Sequence, residues 1–281
     1  MSRILTCLDN SIYAQSCAAL TEWAARRMAA QVDLLNVIGG AGAATDFGVA
    51  AALPERPDIH ARQHADAAEV GRQVEAAARA LVDNMAAGLR AAGIGPVSTR
   101  VEHGVFLDAL VANSGAADLV VIGKRGEAAD FLTLRLGSNM ERAARACQKP
   151  LLIAARAFRP IGKALIAFDG SEHARDAVAA ASTSPLMKDL AIEIVTVGAA
   201  TPDAEAALAD AAALLRLRGL TVSTRLVEGQ PERRIPEIVA REGVDLLVMG
   251  APSHSRLHTL VLGSTASALL RSCVIPALLM R

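Results

Sequence analysis

The sequence predicts an α/β protein made of two tandem doubly wound domains, each a five-stranded parallel sheet flanked by helices. Short, continuous apolar runs alternate with Ala-rich stretches that favour helices. The whole series of runs then occurs a second time in the same order, which is the signature of an internal repeat. Because strands that alternate with helices build parallel sheets with right-handed crossovers, both copies are expected to share this architecture.

Six segments of the first copy recur in the second. The pairs are RILTCLDNS (3–11) with KALIAFDGS (163–171), VDLLNV (32–37) with IEIVTV (192–197), TRVEHG (99–104) with TRLVEG (224–229), DLVVIG (118–123) with DLLVMG (245–250), GSN (137–139) with GST (263–265), and CQKPLLI (147–153) with CVIPALL (273–279). The repeat predicts domains at 1–157 and 158–281, with an insertion around 39–75 in the first.

Each copy is predicted to run strand, helix, strand, helix, strand, helix, strand, helix, strand. The apolar runs are short and continuous, as in strands that helices cover on both faces. Stretches such as 14–30 and 174–182 are rich in Ala and are expected to form the first helix of each copy. The segment 157–160, Ala-Phe-Arg-Pro, is the predicted hinge between the copies.

The composition argues against several classes of function. The 29 basic and 29 acidic residues balance, and aromatic residues make up only 2% of the chain, so nothing indicates nucleic acid as a partner. No apolar run reaches the length of a membrane helix, so no membrane partner is expected. The four cysteines show no metal-binding spacing, which favours reduced thiols in a soluble, cytoplasmic protein.

Ligands of doubly wound sheets bind at the carboxyl ends of the strands, where the strand order reverses. In the second copy, Asp169, Val197 and Gly250 end three of the predicted strands, and Gly263 begins a stretch that opens a helix. The free N–H groups and the dipole of a helix start favour a phosphate. The alternative is that both glycines are ordinary turn residues and that Ser264 is a plain helix cap.

These motifs resemble those of the universal stress protein family, in particular its tandem two-domain members. The family's ATP-binding signature is Gly-x2-Gly-x9-Gly-(Ser/Thr) after the fourth strand, with an Asp after the first. Gly250, Ser253, Gly263 and Ser264 reproduce that signature with Ser253 in place of a glycine. The resemblance covers nearly the whole chain and implies a Rossmann-like fold of the adenine nucleotide alpha hydrolase type.

The resemblance implies one nucleotide site in each domain. In the second domain it would comprise Asp169, Val197, Met249, Gly250, Ser253, Gly263, Ser264 and Thr265. In the first domain the matching residues are Asp9, Val37, Ile122, Gly123, Gly126, Gly137, Ser138 and Asn139. The second site is favoured, because its loop contains Arg256 and no acid, whereas the first loop contains Glu127 and Asp130 and is one residue longer.

The function that follows from the resemblance is a cytoplasmic stress-response module, regulatory or protective, that binds ATP or ADP with or without Mg²⁺. Slow ATP hydrolysis is the most catalysis expected, and no catalytic residue is assigned. The two domains should pair as an internal pseudo-dimer through their last strands, 151–155 and 277–280, and two chains could associate further as a homodimer.

Two other functions stay open. One is a nucleotide-free interaction scaffold whose sites have decayed, since Ser253 departs from the signature. The other is an adenylyl-transferring or ATP-hydrolysing enzyme of the same fold, although the HxGH and SGGxDS sequences of such enzymes are absent. A dinucleotide fingerprint at Gly40 is incomplete, and neither His60/His64 nor His254/His258 has the Glu of a zinc HExxH motif, so no metal ligands are assigned.

Overall fold

A computed structural model describes residues 1–39, 57–125, 138–251 and 263–281, with the backbone alone at 57–67 and 138. Helices and strands alternate throughout. In the first half they are β1 (Arg3–Leu8), α1 (Ala14–Met28), β2 (Gln31–Ile38), α2 (Pro57–Ala91), β3 (Val97–His103), α3 (Phe106–Ser114), β4 (Leu119–Gly123), α4 (Ser138–Ala146) and β5 (Leu151–Ala154). In the second they are β6 (Lys163–Ala167), α5 (Glu172–Thr183), a 3-10 turn (Pro185–Met187), β7 (Ala191–Val197), α6 (Pro202–Leu217), β8 (Thr221–Val227), α7 (Pro231–Arg241), β9 (Leu246–Gly250), α8 (Ser264–Ser272) and β10 (Ala277–Met280).

The strands within the described residues form one sheet in the order β3-β2-β1-β4-β5-β10-β9-β6-β7-β8. Neighbouring strands within each half are parallel. The order reverses between β1 and β4 in the first half and between β6 and β9 in the second. The predicted fold class, two tandem doubly wound α/β units, is therefore confirmed.

The two halves meet at β5 and β10, which pair antiparallel with Leu152 opposite Leu278. Both side chains are fully buried. The predicted pairing of the last strands is therefore present, and it relates the halves as an internal pseudo-dimer.

Apolar layers cover both faces of the sheet. On one face, α1, α2, α5 and α6 pack on alternate strand residues such as Ile4 and Ile166. On the other face, α3, α4, α7 and α8 pack on residues such as Leu5 and Leu165. Because both faces are buried, the strands need the continuous apolar runs that the sequence shows.

The insertion predicted around 39–75 lengthens α2, which has 35 residues where its counterpart α6 has 16. The remainder of the insertion, 40–56, lies outside the described residues. The predicted hinge at 157–160 falls in the connection between β5 and β6. The boundaries 1–157 and 158–281 stay a prediction.

None of the helices in the described ranges is long and apolar enough to cross a membrane.

Candidate functional site

A cavity of about 430 Å³ opens at the carboxyl ends of β6, β7 and β9, beside the first turns of α5, α7 and α8. This is the point in the second half where the strand order reverses. Seven of the eight residues predicted for the second site line it, namely Asp169, Val197, Met249, Gly250, Gly263, Ser264 and Thr265. The eighth, Ser253, lies outside the described residues.

Asp169 lies two residues after the end of β6, where the chain turns into α5. Its Oδ1 accepts a hydrogen bond from the backbone N–H of Ser171 at 3.0 Å. Ser171 in turn caps α5, since its Oγ accepts from the N–H of Ala174 at 3.2 Å. Asp9 makes the same turn in the first half, with Oδ1 3.1 Å from the N–H of Ser11. The repeated Asp-x-Ser therefore has a local role in both halves, which fixes the Asp carboxylate at the edge of the sheet.

Gly250 is required by the packing of α5 on β9. A Cβ built on Gly250 would lie 2.4 Å from the carbonyl oxygen of His173 and 3.1 Å from the N–H nitrogen of Ala174. The close approach at Gly250 is therefore to the backbone at the start of α5. Gly123 is less tightly enclosed, since its nearest neighbour would be the Cβ of Tyr13 at 3.0 Å.

Gly263 differs from Gly250, because neither its backbone nor its surroundings demand a glycine. Its φ is −51°, which any residue adopts, and no described atom lies within 4 Å of a Cβ built there. Gly263 caps α8 without a side-chain hydrogen bond, and the first turn of α8 contains no acid. The first-turn N–H groups of a helix have no acceptor within the helix, so this end of the cavity suits an anion.

Two residues were not predicted from the sequence: His173, which lines the cavity, and Glu232, which contacts the lining residue Thr265. Thr265 donates a hydrogen bond from Oγ1 to Oε1 of Glu232 at 2.7 Å, and this bond lowers the pKa of the Glu232 carboxyl. His173 lines the cavity, and its buried Nδ1 has no hydrogen-bond partner within the described part of the chain. Acidic residues are common near helix starts because they interact favourably with the helix dipole. Nothing in the sequence therefore indicated that Glu232 contacts a site residue.

The model of the universal stress protein family matches residues 1–155 and 197–281. The chain belongs to this family. Residues 156–196, outside the matched segments, form β6, α5 and most of β7. Asp169 and His173 lie in this part, so their place at the cavity rests on the internal repeat and on the structure.

Individual universal stress proteins resemble the chain along its whole length. Universal stress protein Slr1230 of Synechocystis sp. is 33% identical over 297 residues, with 100% of each chain covered. The structure of a universal stress protein from Archaeoglobus fulgidus aligns with a TM-score of 0.70 at 19% identity, covering 99% of this chain and 98% of that one. A putative universal stress protein from Pseudomonas aeruginosa aligns at 0.58 and 17%, covering 100% and 93%. These structures show that the fold is shared.

The first half of this universal stress protein places its predicted site residues at the equivalent edge. Asp9 follows β1, Val37 lies in β2, Ile122 and Gly123 end β4, and Ser138 and Asn139 open α4. Gly126 and Gly137 lie outside the described residues. Tyr13 stands at the position of His173 in the repeat and is buried against Gly123, with Cγ 3.5 Å from a Cβ built there. An aromatic ring therefore packs where the second half has an imidazole beside the cavity.

The thiols are not candidates for chemistry at either edge. Cys7, Cys17, Cys147 and Cys273 are all free and buried. Burial raises the pKa of each thiol, so these cysteines stay protonated near neutral pH. Among the described residues, no group of three or more His, Cys, Asp or Glu could hold a metal ion. The His60/His64 and His254/His258 pairs lie outside the described side chains.

Proposed function

We propose that this universal stress protein binds ATP or ADP, with or without Mg²⁺, in the second-half cavity. The observation that supports the proposal is that one end of the cavity is apolar and the other end has hydrogen-bond donors for an anion. Val195, Val197 and Met249 give an apolar wall at the strand ends, and the start of α8 gives free N–H donors. A volume of about 430 Å³ falls in the usual range for small-molecule sites.

In the proposed arrangement the adenine lies against the strand ends and the phosphates lie at Gly263, Ser264 and Thr265. The Asp169 carboxylate is held by the turn into α5, and its Oδ2 makes no hydrogen bond to the described residues, so it is available to a ligand N–H or hydroxyl. The proposed activity is binding, with slow ATP hydrolysis as the most catalysis expected.

The test begins with the full-length protein. Mass spectrometry of ligand released by denaturation should find an adenine nucleotide, and calorimetry should detect binding of added ATP with Mg²⁺. Finding neither would refute the proposal.

A Gly263→Asp variant tests the phosphate end of the cavity. The added carboxylate would repel phosphate at the start of α8, so we expect ATP affinity to fall by about tenfold or more. Gly115→Asp is the matched control, because Gly115 also has a negative φ of −55° and no described atom within 4 Å of a built Cβ, but lies at the end of α3. Normal ATP binding by Gly263→Asp would exclude this phosphate position.

A nucleotide-free interaction scaffold is the second candidate function, and one observation favours it. The Glu232 carboxylate already accepts the Thr265 hydroxyl proton at the start of α8, where a phosphate would bind. A scaffold of this kind would show no released nucleotide and no binding heat, so the experiment above separates the two candidates.

The proposal places the protein in the cytoplasm as a stress-response module, regulatory or protective. Four buried, unpaired thiols fit a reducing compartment. Association of two chains into a homodimer is part of the proposal, and light scattering of the purified chain measures it.

A further inference from the structure

Glu232 is hydrogen-bonded to Thr265 of the cavity wall, so its negative charge lies beside the end of the cavity that is otherwise suited to an anion. It is the second residue of α7, and Thr265 is the second residue of α8, so the packing of these two helices brings the side chains together. The 2.7 Å bond joins Thr265 Oγ1 to Glu232 Oε1. No cation among the described residues forms an ion pair with Glu232.

The hydrogen bond fixes the direction in which the Thr265 hydroxyl acts. A hydroxyl has one proton, and an ionised carboxylate only accepts hydrogen bonds, so Thr265 must donate its proton to Glu232. Thr265 lines the cavity, and a hydroxyl that donates its one proton can still accept hydrogen bonds. It therefore presents an acceptor to a ligand, whereas a phosphate oxygen needs a donor.

A phosphate at the start of α8 would also lie close to the Glu232 charge. Two like charges a few ångströms apart repel, and the repulsion is larger beside a cavity than in bulk water. A divalent cation removes both conflicts, because it binds carboxylate, hydroxyl and phosphate oxygens at once and keeps several waters. One carboxylate and one hydroxyl are a typical protein share of such a coordination shell.

On the basis of the proposed nucleotide site, we propose that Glu232 is a specificity-determining residue that makes the second half select cation-complexed nucleotide over metal-free nucleotide. The first half has different residues at the two positions. Aligning Gly104 with Gly229 puts Leu107 at the position of Glu232, and Asn139 stands at the position of Thr265. The selection is therefore proposed for the second half.

The experiment is calorimetry on the full-length protein and its Glu232→Gln variant, titrated with ATP plus Mg²⁺, with ATP plus a chelator, and with adenosine. Glutamine keeps an oxygen that can accept the Thr265 proton, removes the charge and adds an amide donor. The wild-type protein should bind metal-free ATP about tenfold more weakly than the Mg²⁺ complex. The variant should lose most of that difference by binding metal-free ATP more tightly, with adenosine affinity unchanged.

Glu237→Gln is the matched control. Glu237 lies on the same helix and forms an exposed pair with Arg234 at 2.6 Å, and its substitution should leave the Mg²⁺ dependence intact. A Thr265→Val variant removes the bridging hydroxyl and should reduce the preference for the Mg²⁺ complex. The same Mg²⁺ dependence in wild type and Glu232→Gln would overturn the role of Glu232 while leaving nucleotide binding in place. No binding of ATP or adenosine by either protein would refute the proposed function itself.

Discussion

Lys124 of the first half donates a hydrogen bond from Nζ to the backbone carbonyl of Cys273 in the second half. Cys273 is the C-cap of α8, so the ammonium lies at the negative end of that helix dipole. The reverse contact also exists, since Arg281 of the second half donates to the carbonyl of Ala144 in the last turn of α4. Each half therefore stabilises the end of the other half's last helix, and α8 connects this junction to the cavity.

Burial of Lys124 predicts a specific pH dependence of stability. Lys124 is 7% exposed, and desolvation lowers its pKa to about 8 from an ordinary value of 10.5. Between those two values the unfolded chain binds more protons at this residue than the folded chain. The contribution of Lys124 to the free energy of unfolding should therefore rise with pH, by at most about 1.4 kcal/mol per pH unit. Urea unfolding of wild type and Lys124→Met across this range measures it as a difference between the two proteins.

The control for that measurement is Lys188→Met, because Lys188 is exposed after the 3-10 turn. Its stability curve should run parallel to that of the wild type. Lys124→Met should lack part of the rise above about pH 8. Parallel curves for all three proteins would mean that Lys124 does not titrate in this window.

Gly250→Ala should destabilise the fold, because the added Cβ would lie 2.4 Å from the His173 carbonyl oxygen. Either β9 or the start of α5 must then move, at a cost of about 1–3 kcal/mol. The measurement is the free energy of unfolding in urea, with Gly123→Ala as a milder counterpart at the equivalent position. A Gly250→Ala protein as stable as the wild type would show that α5 yields without cost.

Gly263→Ala should leave stability within about 0.5 kcal/mol of the wild type, since its φ is negative and no described atom lies near a built Cβ. Under the proposed function, the methyl group would occupy space next to the phosphates, and ATP affinity should fall. Calorimetry and urea unfolding on the same preparation separate these effects. A loss of stability with unchanged affinity would assign Gly263 to the fold instead of the ligand.

The fold could be predicted from the sequence because a parallel sheet covered on both faces requires continuous apolar runs, and the repeat shows those runs twice. The surroundings of the two site glycines, in contrast, could not be predicted from the sequence. Gly250 and Gly263 looked alike in the motif, yet helix backbone encloses Gly250, whereas no described atom lies within 4 Å of a Cβ built on Gly263. That difference depends on how α5 packs on β9, which the local sequence does not specify.

The contact between Glu232 and Thr265 also could not be predicted from the sequence, because it too depends on how helices pack. The two residues are 33 positions apart and meet only because α7 and α8 pack side by side. The contacts that Lys124 and Arg281 make across the pseudo-dimer could not be predicted from the sequence either. In the repeat these residues align with Ala251 and Ala155, so the two halves form similar contacts from different positions.

Arg225→Met should destabilise the second half through Glu193. Arg225 bonds Glu193 through Nε at 2.8 Å and Glu242 through Nη1 at 2.7 Å, and Glu193 is only 7% exposed in the middle of β7. Among the described residues, loss of the guanidinium leaves that carboxylate paired only with Lys163, at 3.1 Å, so we expect a loss of about 1–3 kcal/mol in urea unfolding. The control is Arg79→Met, whose pair with Glu75 at 2.8 Å is exposed, so its loss should change stability much less than the loss of Arg225. Equal losses in the two variants would show that burial of Glu193 adds nothing to the pair.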